Sequence, residues 1–530
     1  MTAQPIEVGP RTWTLRSELL ALGLLLLAHL AVNLSTATLY PSVWVDEAQF
    51  ADAALNWVGG RGWTSTVWIA QTTDAFWAGN APLFSTLLAG WLWLQDGHDI
   101  VAVRSLNPVL LAIAVPLAWD AVRRTGWLPT APQRLLFAAL LLTGHSVAFG
   151  MRWVRYDTLA LLMSAWTLWT WIVFRGRTRL VALVVCGAWM PAAGLQLAPA
   201  VLVTLVIVCA FVRPRPWREA AALASGLVLG AGLLAAWFAA HGVLGGFIAS
   251  VRGVGVIGQS PLAKLLDMPR VLMADKSLLL LFIASLVAAA LAAAARMVGR
   301  AGPGGRALPT ALPSSSPIAL PVALVLPAAL ALGVPTALQL AGKFPVYYAW
   351  MAYLPAFVLL SRLSGEFAPR RAGLRSLARV LPWILAALAC LPGLPLRLVA
   401  AWSAGQAEEA ASLNALLWPR LRPGEHVLTD FKAYHAVRAA SAVPYGEPAL
   451  PMLRAAERNS IVWLVAEPAQ ARAWQTELGG NWRLCGSWTP PETPATWPRR
   501  FVLELREQHY GLALWRRDEA GRKLADCGPD

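Results

Sequence analysis

The sequence predicts a helical, polytopic membrane protein that carries a small α/β or α+β domain at its C-terminal end. Three observations predict it. Of 530 residues, 57% are hydrophobic and only 14% charged, with a mean hydropathy of +0.53, beyond the apolar content of ordinary soluble domains. The apolar residues gather into about eleven runs, most of them near bilayer-spanning length. The formal charge of +15 is also localised: residues 402–530 hold 15 basic and 15 acidic residues, so the whole excess belongs to residues 1–401. A basic excess spread over a soluble domain would suggest nucleic acid. Distributed between apolar runs it reads as a membrane-orientation signal, and no nucleic-acid partner is expected.

Taken in order, Arg11 and Arg16 precede an apolar run from about Leu19 to Leu39, long enough to span. A cleaved signal peptide shares that design, and Ser35-Thr36-Ala37 offers small residues for cleavage. The length of the run, and the lack of anything resembling a secreted domain before residue 400, favour a retained span. Further runs follow at about 101–121, 134–151, 157–174, 179–194, 195–212, 218–240, 277–297, 317–339, 345–361 and 380–398. Leu83 to Leu94 is too short to cross and is expected to lie at the outer surface. The arginines of the intervening loops (123, 124 and 134; 175, 177 and 179; 213, 215 and 218; 296, 300 and 306; 362 to 379) then fall on one side with Arg11 and Arg16, which makes that side cytoplasmic. Asp46, Glu47, Asp52, Asp74, Asp96, Asp99, Asp157, Asp267 and Asp275 fall opposite. An odd number of spans puts residues 401–530 outside the cytoplasm as a soluble domain, with residues 1–400 the membrane domain and 41–100 its first outer loop. The Gly/Pro/Ser-rich stretch 301–317 reads as a cytoplasmic linker.

In the last 130 residues the apolar runs shorten and turn signals (Arg422-Pro423-Gly424, Pro444-Tyr445-Gly446, Pro490-Pro491) separate strand-like pieces such as Ser460 to Ala466 and Phe501 to Leu505. Cys186, Cys209 and Cys390 lie in spans and read as packing. Cys485 and Cys527 share the outer domain, where a disulfide is permitted. Gly253-Val-Gly255-Val-Ile-Gly258 matches a dinucleotide fingerprint but lacks a βαβ context. His145 and His241 are isolated, and no spacing resembles a zinc site. The 27 Trp fit interfacial belts.

Three polar groups fall at the outer surface. One is Asp46-Glu47 ahead of the alanine-rich helix AQFADAALNWV, followed by Asp74 and Asn80-Ala81-Pro82. The second is Arg152-Trp-Val-Arg155-Tyr156-Asp157 at a hairpin, and the third Lys343-Phe-Pro-Val-Tyr347-Tyr348 at a membrane boundary. The acids could simply cap a helix, and the cations could snorkel to lipid phosphates. Basic residues are, however, under-represented on the outer side, and these stand beside acids. Chemically the set is coherent: Arg152, Arg155, Lys343 and Tyr347 are suited to hold a phosphate, while Asp46 or Glu47 can take a proton from a hydroxyl. Adjacent carboxylates could also share that proton or a divalent metal ion. Tyr156, Asp157, Asp74 and Asn80 complete the polar lining that a substrate would meet.

Over roughly residues 15–400 the order of these motifs resembles the polyprenyl-phosphate-sugar glycosyltransferases of the GT-C fold, especially the lipid A aminoarabinose transferases and protein O-mannosyltransferases (glycosyltransferase family 39). The matching features are a first span followed by Asp46-Glu47, Pro82-Leu83 at a helix start, Ala102-x-Arg104 before the next span, Arg152 to Asp157, and Lys343-x-Pro345-x-Tyr347. The chain departs at Asn80-Ala81-Pro82, where aminoarabinose transferases carry Lys-Pro-Pro, and at Gln49-Phe50, where they carry Arg-Tyr. The resemblance implies Asp46 as catalytic base, a sugar delivered on an undecaprenyl-type phosphate, and transfer to a lipid, glycan or protein acceptor at the outer face of a bacterial inner membrane. A transporter or flippase of lipid-linked glycans is the rival class, but it predicts internal repeats and mid-span charges, and here no repeat is visible and the acids cluster at one surface. An inactive scaffold of the same fold is a third reading.

Overall fold

A computed structural model describes residues 13–69, 71–148, 150–253, 260–270, 279, 281–287, 320–342, 346–366, 384, 387–388, 390–391, 393–405, 409–490, 510–518 and 527. It is a mostly helical body with one small mixed sheet. The first helix, α1 (Leu15–Ser35), opens with a reciprocal capping box between Thr14 and Ser17. Its polarity is inverted relative to a soluble helix: Glu18, His29 and Asn33 are buried, whereas Leu20, Leu24 and Leu27 are 58–66% exposed. Such a helix places its apolar face in lipid and its polar groups in the bundle. Together with α4 (Ile100–Thr125) and α10 (Trp217–Ala240), α1 is long and apolar enough to cross a membrane. No other helix among the described residues reaches that standard, so the span count of about eleven is not reproduced.

Other helices occupy most of the remaining apolar runs: α5 (Ala131–Thr143), the turn α6 (His145–Ala148), α7 (Asp157–Val173), α8 (Gly176–Ala193), α9 (Leu197–Phe211), α13 (Leu320–Leu340), α14 (Tyr353–Glu366) and α15 (Leu394–Ala404). Between α10 and α13 lie α11 (Leu244–Gly253) and α12 (Pro261–Leu266). α8 and α10 pack backbone to backbone. A Cβ at Gly226 would stand 2.2 Å from the Val184 carbonyl oxygen, and one at Gly187 2.4 Å from that of Leu223. This is the small-residue contact that lets helices approach closely in lipid. The run 345–361 opens with a 3-10 helix, Val346–Ala352, before α14. The linker 301–317, most of the glycine motif 253–258, Asp275 and Phe501 to Leu505 lie outside the described residues.

The two ends of the body differ chemically. At one end Arg134 pairs with Glu18, Arg123 and Arg124 with Asp120, and Arg179 with Glu219. At the other, the C-terminus of α1 and the N-termini of α4 and α7 meet α2 (Val45–Val58), α3 (Leu83–Gln95) and the sheet. α3 is short as expected and packs on α2, where Ser85 Oγ donates to the Phe50 carbonyl at 3.0 Å. Thr36 and Ala37, the small residues of the candidate cleavage site, are tied into the fold by Arg152 and Arg104, so α1 is an integral member of the body.

The sheet has the order β2-β1-β3-β5-β4, with β1 (His426–Thr429), β2 (Val443–Gly446) and β3 (Ile461–Ala466) parallel, and β5 (Leu512–Arg517) antiparallel to both β3 and β4 (Trp482–Trp488). Helices α16 (Tyr434–Ala439), α17 (Ala455–Ser460) and α18 (Pro468–Leu478) connect the first four strands. β3 lies where the sequence places a strand. Cys485, on β4, is bonded to Cys527.

Candidate active site

Helix α2 is rich in small buried residues: Ala48, Ala51, Ala53 and Ala54 are all but inaccessible. They let neighbouring elements approach closely, and two acids in the first turn suit the positive end of the helix dipole. Three carboxylates leave this helix at positions 46, 47 and 52. At roughly 100° per residue they fan around its axis about 100°, 140° and 120° apart, so each meets a different element.

Asp46 faces the hairpin before α7. Arg155 Nη1 donates to Asp46 Oδ2, and Arg155 Nε donates to Asp157 Oδ2 at 2.8 Å. The guanidinium is therefore shared by two carboxylates, one buried (Asp157) and one 27% exposed (Asp46). Among the described residues no donor meets Asp46 Oδ1. The hairpin is held from α4 by Asn107, whose amide donates to the carbonyls of Trp153 and Arg155. Trp44, two residues before Asp46, stacks on Trp153, two before Arg155, with ring centroids 5.8 Å apart. Tyr156 shares a hydroxyl hydrogen bond with Tyr348.

Glu47 points the other way and is wholly buried. Arg104 grips both of its oxygens at 2.7 Å, and His435 Nε2 lies 3.6 Å away. Burial pushes this carboxyl up, but the Arg104 guanidinium outweighs it and holds the group down at about 2. The two neighbouring acids thus have different partners, Glu47 with both oxygens on Arg104 and Asp46 on Arg155.

Behind Asp157 the site opens into the bundle. Trp350 Nε1 donates to Asp157 Oδ1 at 3.1 Å, and the Trp350 ring lines a cavity of about 330 Å³. Its walls are largely apolar. Leu161, Ser164, Leu168 and Ile172 line it from α7, and Val208 and Val212 from the far end of α9. From Leu161 to Ile172 the axis of α7 advances about 16 Å, so the cavity runs from the ionic cluster toward the arginine-rich end.

The other expected site residues divide. Arg152 is buried and fully engaged: it donates to the carbonyls of Tyr40 and Thr36, the Thr36 hydroxyl and Asn33 Oδ1. It therefore holds the turn leading to α2, whereas the sequence assigned it to a phosphate. Asp74 is 62% exposed and pairs with Arg454 on the sheet domain. Asn80 accepts from the Ala81 amide through its own side chain. Neither is brought to Asp46 by any recorded contact. Lys343 lies outside the described residues, and Tyr347 sits in the 3-10 helix Val346–Ala352. Sequence reasoning missed Trp350, Asn107 and the roles of Arg104 and Asp52. A buried acid beside a span implied a buried cation, which Arg104 in the first turn of α4 could have supplied.

The fold has a solved counterpart. ArnT from Cupriavidus metallidurans, in a crystal structure with undecaprenyl phosphate bound, superposes with a TM-score of 0.55, covering 98% of this chain and 100% of that one at 12% identity. The chain has the GT-C fold. The archaeal oligosaccharyltransferase AglB of Archaeoglobus fulgidus, solved with an inhibitory peptide and dolichol phosphate, aligns over 96% of this chain and 75% of that one at 12% identity and a TM-score of 0.41. An apo oligosaccharyltransferase from the same organism covers 85% and 69% at 11% identity and 0.43. These two scores are too low to add to the comparison with ArnT. No protein-family model and no curated protein matches the sequence. Within the GT-C fold, Asp46 and the Arg155 hairpin stand where the body meets the sheet domain, at the end opposite the arginine-rich loops.

Proposed function

We propose that the protein is an integral-membrane glycosyltransferase that moves a sugar from a polyprenyl-phosphate carrier to a hydroxyl of a cell-envelope acceptor at the outer face of the cytoplasmic membrane. One observation carries this reading: a half-open Asp46 is joined through Arg155, Asp157 and Trp350 to an apolar cavity inside the helical body. A lipid-linked sugar has the same polarity in the same order, a hydrocarbon tail, an anionic phosphate and a polar sugar. The GT-C fold and the undecaprenyl phosphate bound by ArnT support it.

In this reading the tail occupies the cavity and Arg155 faces the phosphate, with Lys343 and Tyr347 as its further partners. Phosphate is a good leaving group and needs no protonation; an acceptor hydroxyl, almost wholly protonated at neutral pH, does need a base. Asp46 Oδ1, with no donor on it among the described residues, accepts that proton as the hydroxyl attacks the anomeric carbon opposite the phosphate. The single displacement inverts the anomeric configuration.

The test uses purified full-length protein, radiolabelled undecaprenyl-phosphate hexoses and pentoses, and an envelope fraction as acceptor. Asp46→Asn should lower turnover by about 10²–10⁴ with binding of undecaprenyl phosphate retained. Near wild-type turnover would remove Asp46 from the mechanism, and retained configuration would remove the single displacement. Failure of the wild-type protein both to bind undecaprenyl phosphate and to transfer any of these sugars would overturn the whole reading.

A further inference from the structure

The third carboxylate of α2, Asp52, is inaccessible and looks away from Asp46 toward the sheet domain. Its Oδ2 accepts from the Thr66 amide at 2.6 Å and the Ser65 hydroxyl at 2.9 Å, both in the first outer loop. Its Oδ1 accepts from the Tyr434 hydroxyl at 2.6 Å and from Arg438 Nη2. Arg438 also donates to Asn56, one turn further along α2, at 2.7 Å, and to the Tyr434 hydroxyl at 3.2 Å. Tyr434 and Arg438 stand one turn apart on α16, and His435, between them, is the side chain beside Glu47. One short helix of the sheet domain thus reaches two of the three carboxylates of α2, and all of these side chains are at least nine-tenths buried.

Three charged contacts spread around a helix fix its rotation about its own axis, because rolling it to improve one contact breaks another. Arg155 and Arg104 belong to the membrane body; the third contact belongs to a domain nearly 400 residues away in sequence. We infer that Asp52, Tyr434 and Arg438 are positioning residues: through α16 the sheet domain sets the roll of α2 and so aims Asp46 at its substrate. This rests on the role proposed for Asp46. A misplacement of about 1 Å at a reacting group can cost on the order of 10²-fold in rate, so a domain that touches no substrate can still control turnover.

The experiment compares Arg438→Lys, Arg438→Gln, Tyr434→Phe, Asp52→Asn and the double variant Asp52→Asn/Arg438→Gln in the full-length protein. The readouts are kcat and KM with whichever undecaprenyl-phosphate sugar supports turnover, and hydrogen exchange of the α2 amides. Arg438→Gln and Asp52→Asn should each lower kcat about 10- to 100-fold with the donor KM changed less than about threefold. The double variant should fall well short of the product of the two losses, because the pair acts as one unit. Tyr434→Phe, which keeps the charge pair, and Arg438→Lys should retain most of the rate. Exchange in α2 should quicken in the Gln and Asn variants while the amides of α4 and α7 keep their protection. Unchanged kcat despite faster exchange in α2 would overturn the positioning role, as would a loss expressed wholly in donor KM. If no sugar is transferred even by the wild type, the exchange arm still decides whether α16 holds α2: unaltered protection in every variant overturns the clamp.

Discussion

Asp46 and Glu47 are neighbours in sequence with opposite surroundings. A hundred degrees of helix separates a carboxylate that meets water from one that meets only Arg104 and His435. Glu47→Gln should therefore damage stability before chemistry. It leaves a buried guanidinium without its counter-charge, which typically costs about 3–5 kcal/mol, read as a lower Tm in detergent. The same pair makes an acid prediction. The Glu47 carboxyl is held down at about 2 from an ordinary 4.5, so the stability it contributes is complete above about pH 4.5 and drains away as pH falls through 2. Melting curves from pH 6 to pH 3 should show a downward slope below pH 4.5 that is shallower in Glu47→Gln. That Asp46 and Glu47 need partners was legible in sequence, because two acids ahead of an alanine-rich helix in so apolar a chain need a reason, and both are ion-paired. Which acid faces the cleft was not, since that depends on the roll of α2, and the roll is set by Arg104, Arg155 and Arg438, all distant in sequence.

At the level of elements, the cavity is made by what α7 and α9 leave unfilled. Ser164 and Thr204 are small for their positions, and Leu197, Leu205 and Val334 complete an apolar wall around them. Ser164→Phe should lower affinity for undecaprenyl phosphate by about tenfold or more, through loss of the volume the tail would occupy, with Tm little changed because the new ring enters space that is already empty. Displacement of radiolabelled undecaprenyl phosphate from the purified protein measures it; unchanged affinity would place the tail elsewhere. Helix positions were readable from apolar runs of sufficient length, as for α4 and α10. The cavity was not, because hydropathy reports that a residue is apolar and says nothing about whether its partner across the bundle reaches it. The tight α8–α10 contact had a visible signal in Gly226-x-x-x-Gly230, yet its partner, Gly187, follows only from the packing. The sheet was legible as strand-sized pieces, and β3 lies where one was expected, but its mixed order is set by pairings over long sequence distances.

For the whole molecule, the separation of arginine-rich loops from the Asp46 cluster argues for a cytoplasmic N-terminus and a sheet domain on the opposite side of the membrane. A reporter active only outside the cytoplasm, fused after Asp530, should be active, and an inactive fusion to a stably inserted protein would reverse the orientation. This prediction rests on charge distribution alone, since orientation depends on which loops are basic and little else. Three helices long enough to cross, against about eleven apolar runs, mark the limit of that reading: several runs fold as helices of four turns or so, which only their neighbours can place in the bilayer.

The contact between α16 and Asp52 has a consequence for how the protein is made. Asp52 leaves the ribosome 382 residues ahead of Tyr434 and 386 ahead of Arg438, so during synthesis α2 precedes the cation that will pair with its third carboxylate. The third charged contact of α2 therefore forms only after residues 434–438 have been synthesised. A chain truncated before residue 434 would carry α1 to α15, the cavity lining, Asp46 and Arg155, and still lack the third point of support for α2.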